Sequence, residues 1–207
     1  MAADRSEIID NGEGLYMPVE QYLALDEATD GKYEYLNGYA YMLRPPSSYY
    51  TSGGMIDLAG GSPAHALVAM NIGYILAGAL RHGPCTVYSS DAKVKLAEKH
   101  YLYPDITVAC GEQEDTRYIA NPTLIIEVLS PATEKRDRNA KFKAYKTLSS
   151  LQEYVLIGSQ YKTIEVYRRE GAIWQQSIYH EGDTVELASL DVRFPFEDVY
   201  HHVRFAK

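Results

Sequence analysis

The residues with the most chemical content lie between Pro104 and Tyr145. In the run Thr123-Leu124-Ile125-Ile126-Glu127-Val128-Leu129, one acid interrupts a β-rich apolar stretch bounded by Pro122 and Pro131. Such a run reads as a central strand buried on both faces. An ionised carboxylate there is unfavourable unless a cation, a metal or several donors compensate it. Glu127 therefore needs a partner. Asp105 lies in the preceding strand-like segment, Leu102–Cys110, where Ile106, Val108 and Cys110 alternate with Asp105, Thr107 and Ala109. If the two strands pair, both carboxylates can point to one face at one end of a sheet. Two hard carboxylates beside open water positions suit magnesium or the similar manganese ion, and the matching chemistry is metal-assisted hydrolysis.

A helix from about Glu134 to Leu148 adds a cation. Ala144, Tyr145 and Leu148 stand three, four and seven residues after Lys141, so Lys141 shares their inward stripe. Lys143 and Lys146 fall on the other side and read as solvated. Asp137, four residues before Lys141, is placed to orient its ammonium. Each residue also has a structural reading. Asp105 follows a proline and can start a strand, Glu127 and Lys141 can form a buried ion pair, and Asp137 can cap a helix.

The elements that must position this set follow from pattern. Val19, Tyr22, Leu23 and Leu25 predict a short helix opened by Pro18, and Asn37-Gly38 predicts a hairpin between Lys32–Leu36 and Tyr39–Met42. Residues 44–63 read as a long glycine-bearing loop, a lid or an interface arm. Leu67, Met70, Asn71, Tyr74 and Ile75 recur at helical spacing after Pro63, and Gly83-Pro84 ends that helix. Strand-like segments follow at Thr86–Ser89, Ala92–Leu96, Glu153–Ile157, Thr163–Arg168, Trp174–Tyr179 and Thr184–Leu187. This mixed order predicts an α/β (α+β) protein with a central sheet flanked by helices.

At 207 residues the chain suits one domain, over 16–207 with its core near 63–158, behind a flexible segment 1–15. A net charge of −8 argues against tight metal-free binding of nucleic acid, which normally rests on a basic footprint. It does not argue against a site whose carboxylates are offset by bound metal. The stretch Ala66–Leu80 reads as too short for a membrane span, and the N-terminus shows no secretion signal, so a cytoplasmic location is expected. Cys85 and Cys110 read as reduced, buried thiols. Nineteen tyrosines against four phenylalanines predict aromatic surface that is half-buried or at an interface.

Pro104-Asp105, then Glu127 in a buried strand, then a helical lysine resembles the restriction-endonuclease-like superfamily with its PD…(D/E)xK motif. More narrowly, the chain resembles the Uma-two family of putative restriction endonucleases. The segments that carry the resemblance are Tyr33-Glu34-Tyr35-Leu36-Asn37-Gly38, Ser62-Pro63-Ala64-His65, Ser90-Asp91-Ala92-Lys93-Val94, Tyr103-Pro104-Asp105, Asn121-Pro122 through Ser130-Pro131, and Asp137…Lys141…Tyr145. They span roughly residues 17–203. The superfamily lysine normally stands two residues after the glutamate, a position held here by Leu129, so the resemblance implies that Lys141 carries its role from the helix.

The resemblance implies a restriction-endonuclease-like mixed sheet, with an extra N-terminal hairpin and C-terminal antiparallel strands. It also implies a Mg2+- or Mn2+-dependent endonuclease acting on phosphodiester bonds of nucleic acid, with DNA the expected substrate. Asp105, Glu127 and Lys141 would be catalytic, the two carboxylates also binding metal. Glu34, His65, Asp91, Asp137 and Tyr145 are further or supporting members. Cutting both strands of a duplex implies a homodimer. The alternative is a catalytically degenerate module of the same fold that binds nucleic acid or protein. A metal-independent small-molecule enzyme has no supporting motif, since the sequence holds neither a phosphate-cradling glycine loop nor a nucleophile elbow.

Overall fold

The structure, a computed structural model, describes residues 14–47, 62–96, 100–113 and 115–205. In chain order the elements are β1 (Leu15–Tyr16), α1 (Val19–Ala28), β2 (Lys32–Leu36), β3 (Tyr39–Arg44), α2 (Pro63–Leu80), β4 (Cys85–Ser89), β5 (Val94–Lys95), β6 (Tyr101–Leu102), β7 (Ile106–Cys110) and β8 (Leu124–Leu129). There follow α3 (Glu134–Arg136), a π-helical turn (Asp137–Lys141), α4 (Phe142–Tyr145), β9 (Glu153–Gly158), β10 (Ile164–Glu170), β11 (Ile173–Tyr179), β12 (Thr184–Leu187), β13 (Val192–Pro195) and α5 (Phe196–Val199). Contacts divide the chain into two compact units, Met1–Gly60 with Ala97–Leu102, and Gly61–Leu96 with Tyr103–Lys207.

The first unit is built on the hairpin. Asn37 and Gly38 both take positive φ, 54° and 87°, which the tight turn between β2 and β3 requires. Strand β1 pairs with β3, and β6 pairs with β2 at Tyr35 and Tyr101. Tyr22 of α1 is fully buried, stacks on Tyr35 at 4.8 Å and donates its hydroxyl to the carbonyl of Tyr33. Tyrosine suits this small core because the ring packs while the hydroxyl finds a carbonyl. Most of the predicted arm at 44–63 and nearly all of segment 1–15 lie outside the described residues.

The second unit holds a six-stranded sheet in the order β11-β10-β9-β8-β7-β4. Only β8 and β9 run parallel; the other neighbours are antiparallel. The predicted mixed α+β architecture is therefore present. Both faces of the sheet are covered. Ile106, Val108, Leu124, Ile126, Val128, Val155 and Ile157 pack with α2, the β12–β13 ribbon and α5 in one continuous apolar core. Ile125, Glu127 and Leu129 alternate to the other face, the side of the helical segment 134–145, where Tyr154 of β9 stacks on Phe142 at 4.8 Å.

Four expectations are corrected. Helix α2 forms as predicted, but it buries Val68, Ile72, Leu76 and Leu80, leaving Met70 and Tyr74 68 % and 80 % exposed. It is apolar nearly all round, so period alone did not select a face; Gly73 lies on the packed side, where a Cβ would come within 3.2 Å of Ile106 Cδ1. By length and composition α2 also suffices to cross a membrane, contrary to the shorter reading from Ala66, although one edge packs on the sheet. Cys85 and Cys110 are neither reduced nor fully buried. They stand directly opposite each other in the β4–β7 ladder and form a disulfide. The strand expected over Leu102–Cys110 is broken at Tyr103-Pro104-Asp105, so Asp105 sits just before β7 rather than within it.

Candidate functional site

Strands β7 and β8 pair antiparallel, with Ile106 opposite Ile126. Asp105 stands one residue before the last paired position of β7, and Glu127 one residue beyond Ile126 on β8. The Oδ2 atom of Asp105 accepts the backbone N–H of Val128 at 2.7 Å, which ties the chain break to the β8 strand beside Glu127. Because Asp105 lies outside the ladder, the same oxygen is also 3.4 Å from Nε2 of His65 in the first turn of α2. That turn is set by Ser62, whose hydroxyl accepts the His65 N–H at 3.2 Å, with Pro63 at the first helical position. Burial alone would lower the His65 pKa, but the hydrogen bond and charge of Asp105 outweigh it and hold the imidazole above its ordinary value.

Glu127 is buried, and its Oε1 accepts from Lys141 Nζ at 3.1 Å and from Tyr145 Oη at 3.0 Å. Lys141 also lies 3.3 Å from Oδ1 of Asp137, which is itself 1 % exposed. A buried ammonium thus stands between two buried carboxylates, an arrangement that is stable only because the charges are mutually compensated. Asp137 and Lys141 are the first and last residues of the π-helical turn, and Tyr154 donates its hydroxyl to the carbonyl of Asp137 at 3.0 Å. A single π turn inside an α-helix widens the backbone and recurs at functional sites. Lys143 and Lys146 are exposed, on the far side of the helix.

The structure therefore brings Asp105 to His65, and Glu127 to Lys141, Asp137 and Tyr145. Asp91 is exposed in the turn after β4. Glu34 is fully buried on β2 of the first unit. The roles of the Val128 amide, of Tyr154 and of the π turn escaped sequence reasoning. No side-chain pattern announces any of them: the two contacts depend on which elements lie side by side, and the π turn is a local departure of the backbone.

Among the described residues no group of three or more His, Cys, Asp and Glu side chains is arranged to hold a metal. A closed zinc site of the structural kind is thus not what these residues offer. Asp105 and Glu127, each one residue beyond the last β7–β8 pair, are hard oxygen donors of the kind that Mg2+ or Mn2+ supplements with water.

A family model described as "Putative restriction endonuclease", Uma2, matches residues 42–196, which include every site residue discussed except Glu34. The chain is 30 % identical over 190 residues to the uncharacterized protein slr1290 of Synechocystis sp., covering 90 % of this chain and 92 % of that one. It is 33 % identical over 129 residues to the uncharacterized protein sll1609 of the same organism, covering 60 % and 73 %. A crystal structure of a putative nuclease belonging to DUF820 from Anabaena variabilis superposes with a TM-score of 0.66 at 18 % identity. That match covers 89 % of this chain and 98 % of the other and shows a shared fold. The chain belongs to the Uma2 family, whose members are described as putative restriction endonucleases.

Proposed function

We propose that this chain is a metal-dependent nuclease that hydrolyses phosphodiester bonds, with DNA as its substrate. The observation that supports this reading is the Asp105 carboxylate bonded to the Val128 amide next to Glu127, with the Lys141 ammonium on the Glu127 carboxylate. Asp105 and Glu127 are the residues that would hold Mg2+ or Mn2+. Bound there, a divalent ion supplies polarisation of the scissile phosphate and a lowered pKa for the attacking water. Lys141 offsets negative charge building on the phosphoryl oxygens, and Asp137 and Tyr145 fix where its ammonium and the Glu127 carboxylate point. His65 orients Asp105 through the contact at 3.4 Å.

A twofold homodimer completes the proposal, since two copies of the site cut both strands of a duplex. The exposed Tyr74 on α2 offers aromatic surface for that contact. Sedimentation at micromolar concentration is expected to give twice the chain mass, and a single monomer species would refute the dimer.

One observation favours a second reading. Lys141, Glu127 and Asp137 already satisfy one another as an ion triad, and a degenerate binding module needs nothing more. Cleavage of plasmid and oligonucleotide DNA under titration with Mg2+ or Mn2+ separates the two. The nuclease reading expects cleavage that EDTA stops and that Asp105→Asn removes. Cleavage indifferent to both treatments, or none with either metal, would leave the binding module.

A further inference from the structure

A second cleft lies in the same unit. Lys93, only 9 % exposed, sends its ammonium to 5.4 Å from the ring centre of Tyr103 and 5.8 Å from that of Tyr118. The ammonium of Lys95 and the guanidinium of Arg117 stand 5.6 Å and 5.1 Å from the same Tyr118 ring. Lys93, Arg117, Tyr103, Tyr118 and Tyr88 line a cavity of about 540 Å³. Asp91 and Asp115 also line it, and Asp115 is engaged by Arg117 at 3.3 Å. Lys93 and Arg117 balance the two carboxylates of the lining, and Lys95 beside Tyr118 adds one further positive charge on a chain of net charge −8.

The cleft adjoins a groove of about 510 Å³ that runs along α2 past Gly73 and Ala69 to His65 and Asp105, with Tyr88 lining both. Tyr103 is two residues from Asp105 in the chain break before β7. A strand whose phosphate lies at Asp105 can therefore pass Tyr88 and enter between Tyr103 and Tyr118.

We infer that this cleft holds unpaired nucleotides of the nucleic-acid substrate, bases stacked on Tyr103 and Tyr118 and phosphates met by Lys93, Lys95 and Arg117. The inference rests on the nuclease reading above and narrows it to DNA unpaired at the site, each copy of the dimer holding one frayed strand of a duplex. Aromatic rings interleaved with cations are how proteins track a single strand without reading its sequence. A paired base offers no free face for such stacking, and Lys93 is too deeply buried for a phosphate on the outside of a duplex.

The test is fluorescence anisotropy of a short, fluorescein-labelled single-stranded oligodeoxynucleotide of mixed sequence, with the full chain in EDTA so that nothing is cut. The wild type is expected to bind it more tightly than the duplex of the same sequence. Tyr118→Ala is expected to weaken binding roughly tenfold, and Tyr118→Phe to restore it, because only the ring is needed for stacking. Arg117→Ala, at an exposed side chain, is expected to reduce the slope of log affinity against log salt by roughly one. Absence of single-strand binding by the folded wild type overturns the inference. So does equal affinity of the wild type, Tyr118→Ala and Arg117→Ala. If metal-dependent cleavage persists alongside that equality, the cleft is wrong and the nuclease reading stands. If Tyr118→Ala loses binding while no variant or wild type ever cleaves, the cleft is right and the nuclease reading falls.

Discussion

Glu127 and Lys141 meet at 3.1 Å across the gap between β8 and the π-helical turn, with side chains only 4 % and 5 % exposed. The pair joins the apolar strand β8 to the π-helical turn. Neither charge would be tolerated there alone. That dependence makes Glu127 the first place to test the site.

Glu127→Gln is expected to abolish metal-dependent cleavage while leaving the chain folded. The amide keeps an oxygen to accept from Lys141 and Tyr145, and Asp137 still faces the ammonium at 3.3 Å. Removing one of the two buried carboxylates that share Lys141 also relieves their mutual repulsion. A thermal melt unchanged or higher than wild type, with loss of Mg2+ binding in calorimetry, is the expected result. Wild-type cleavage by a clean preparation of Glu127→Gln would remove Glu127 from the chemistry.

The Cys85–Cys110 bond closes a loop of 25 residues across the edge of the six-stranded sheet. Intact mass under non-reducing conditions is expected to be lighter by two hydrogens than after reduction. In the chain-entropy account, opening a loop of this length costs roughly 3 kcal/mol. Reductant, or the double variant Cys85→Ser with Cys110→Ser, should therefore lower the melting temperature by several degrees. Equal masses before and after reduction would show two free thiols.

What the sequence made legible follows from where the information sits. The buried strand around Glu127 is readable because one acid interrupts a β-rich run fenced by two prolines, and the burial of Lys141 because helical spacing ties it to Tyr145 and Leu148. The hairpin is readable because Asn37-Gly38 permits positive φ without strain. The face of α2 is not, since Leu67, Met70 and Tyr74 are as apolar as Val68, Ile72 and Leu76. Pairing of Cys85 with Cys110 needs the register of β4 on β7, a tertiary fact. The contact of His65 with Asp105 likewise needs the break in the chain before β7, where local pattern predicted a continuous strand.

Arg138 and Glu165 form a two-pronged ion pair at 2.9 and 2.7 Å, and Glu134, Tyr167 and Gln176 complete its network. Burial would raise the Glu165 pKa, but hydrogen bonds from Arg138 and its charge outweigh that and hold it below the ordinary value. A carboxyl with a lowered folded pKa stabilises the protein above its unfolded pKa. That contribution fades as pH falls through the unfolded value of 4.5 toward the folded one. Glu165→Gln should thus flatten the acid side of the stability curve, and Arg138→Ala should cost roughly 3 kcal/mol near neutral pH by leaving Glu165 unpaired. Cleavage per folded molecule should not change in Glu165→Gln. An acid-unfolding midpoint identical to wild type would show that the pair carries no pH-dependent stability.

The last expectation concerns Lys141, which decides between an enzyme and a self-satisfied ion triad. Its ammonium touches both Glu127 and Asp137, and Tyr145 one helical turn on shares the Glu127 oxygen. If the ammonium counters charge at the phosphoryl oxygens, Lys141→Ala removes one preorganised donor. Losses of that kind are about 10²–10³-fold in turnover. Metal affinity should change little or rise, because the ligands stay and a competing positive charge has gone. Lys143→Ala, on the exposed side of the same helix, should alter neither quantity. Stability separates the alternatives further. A purely structural triad predicts that Lys141→Ala melts early, from two buried carboxylates left facing each other, and that saturating Mg2+ does not restore it. A metal site predicts that Mg2+ recovers much of the lost melting temperature while turnover stays low. Equal losses of turnover at Lys141 and Lys143 would point instead to a diffuse electrostatic effect, and full turnover in Lys141→Ala would remove the helix lysine from the mechanism.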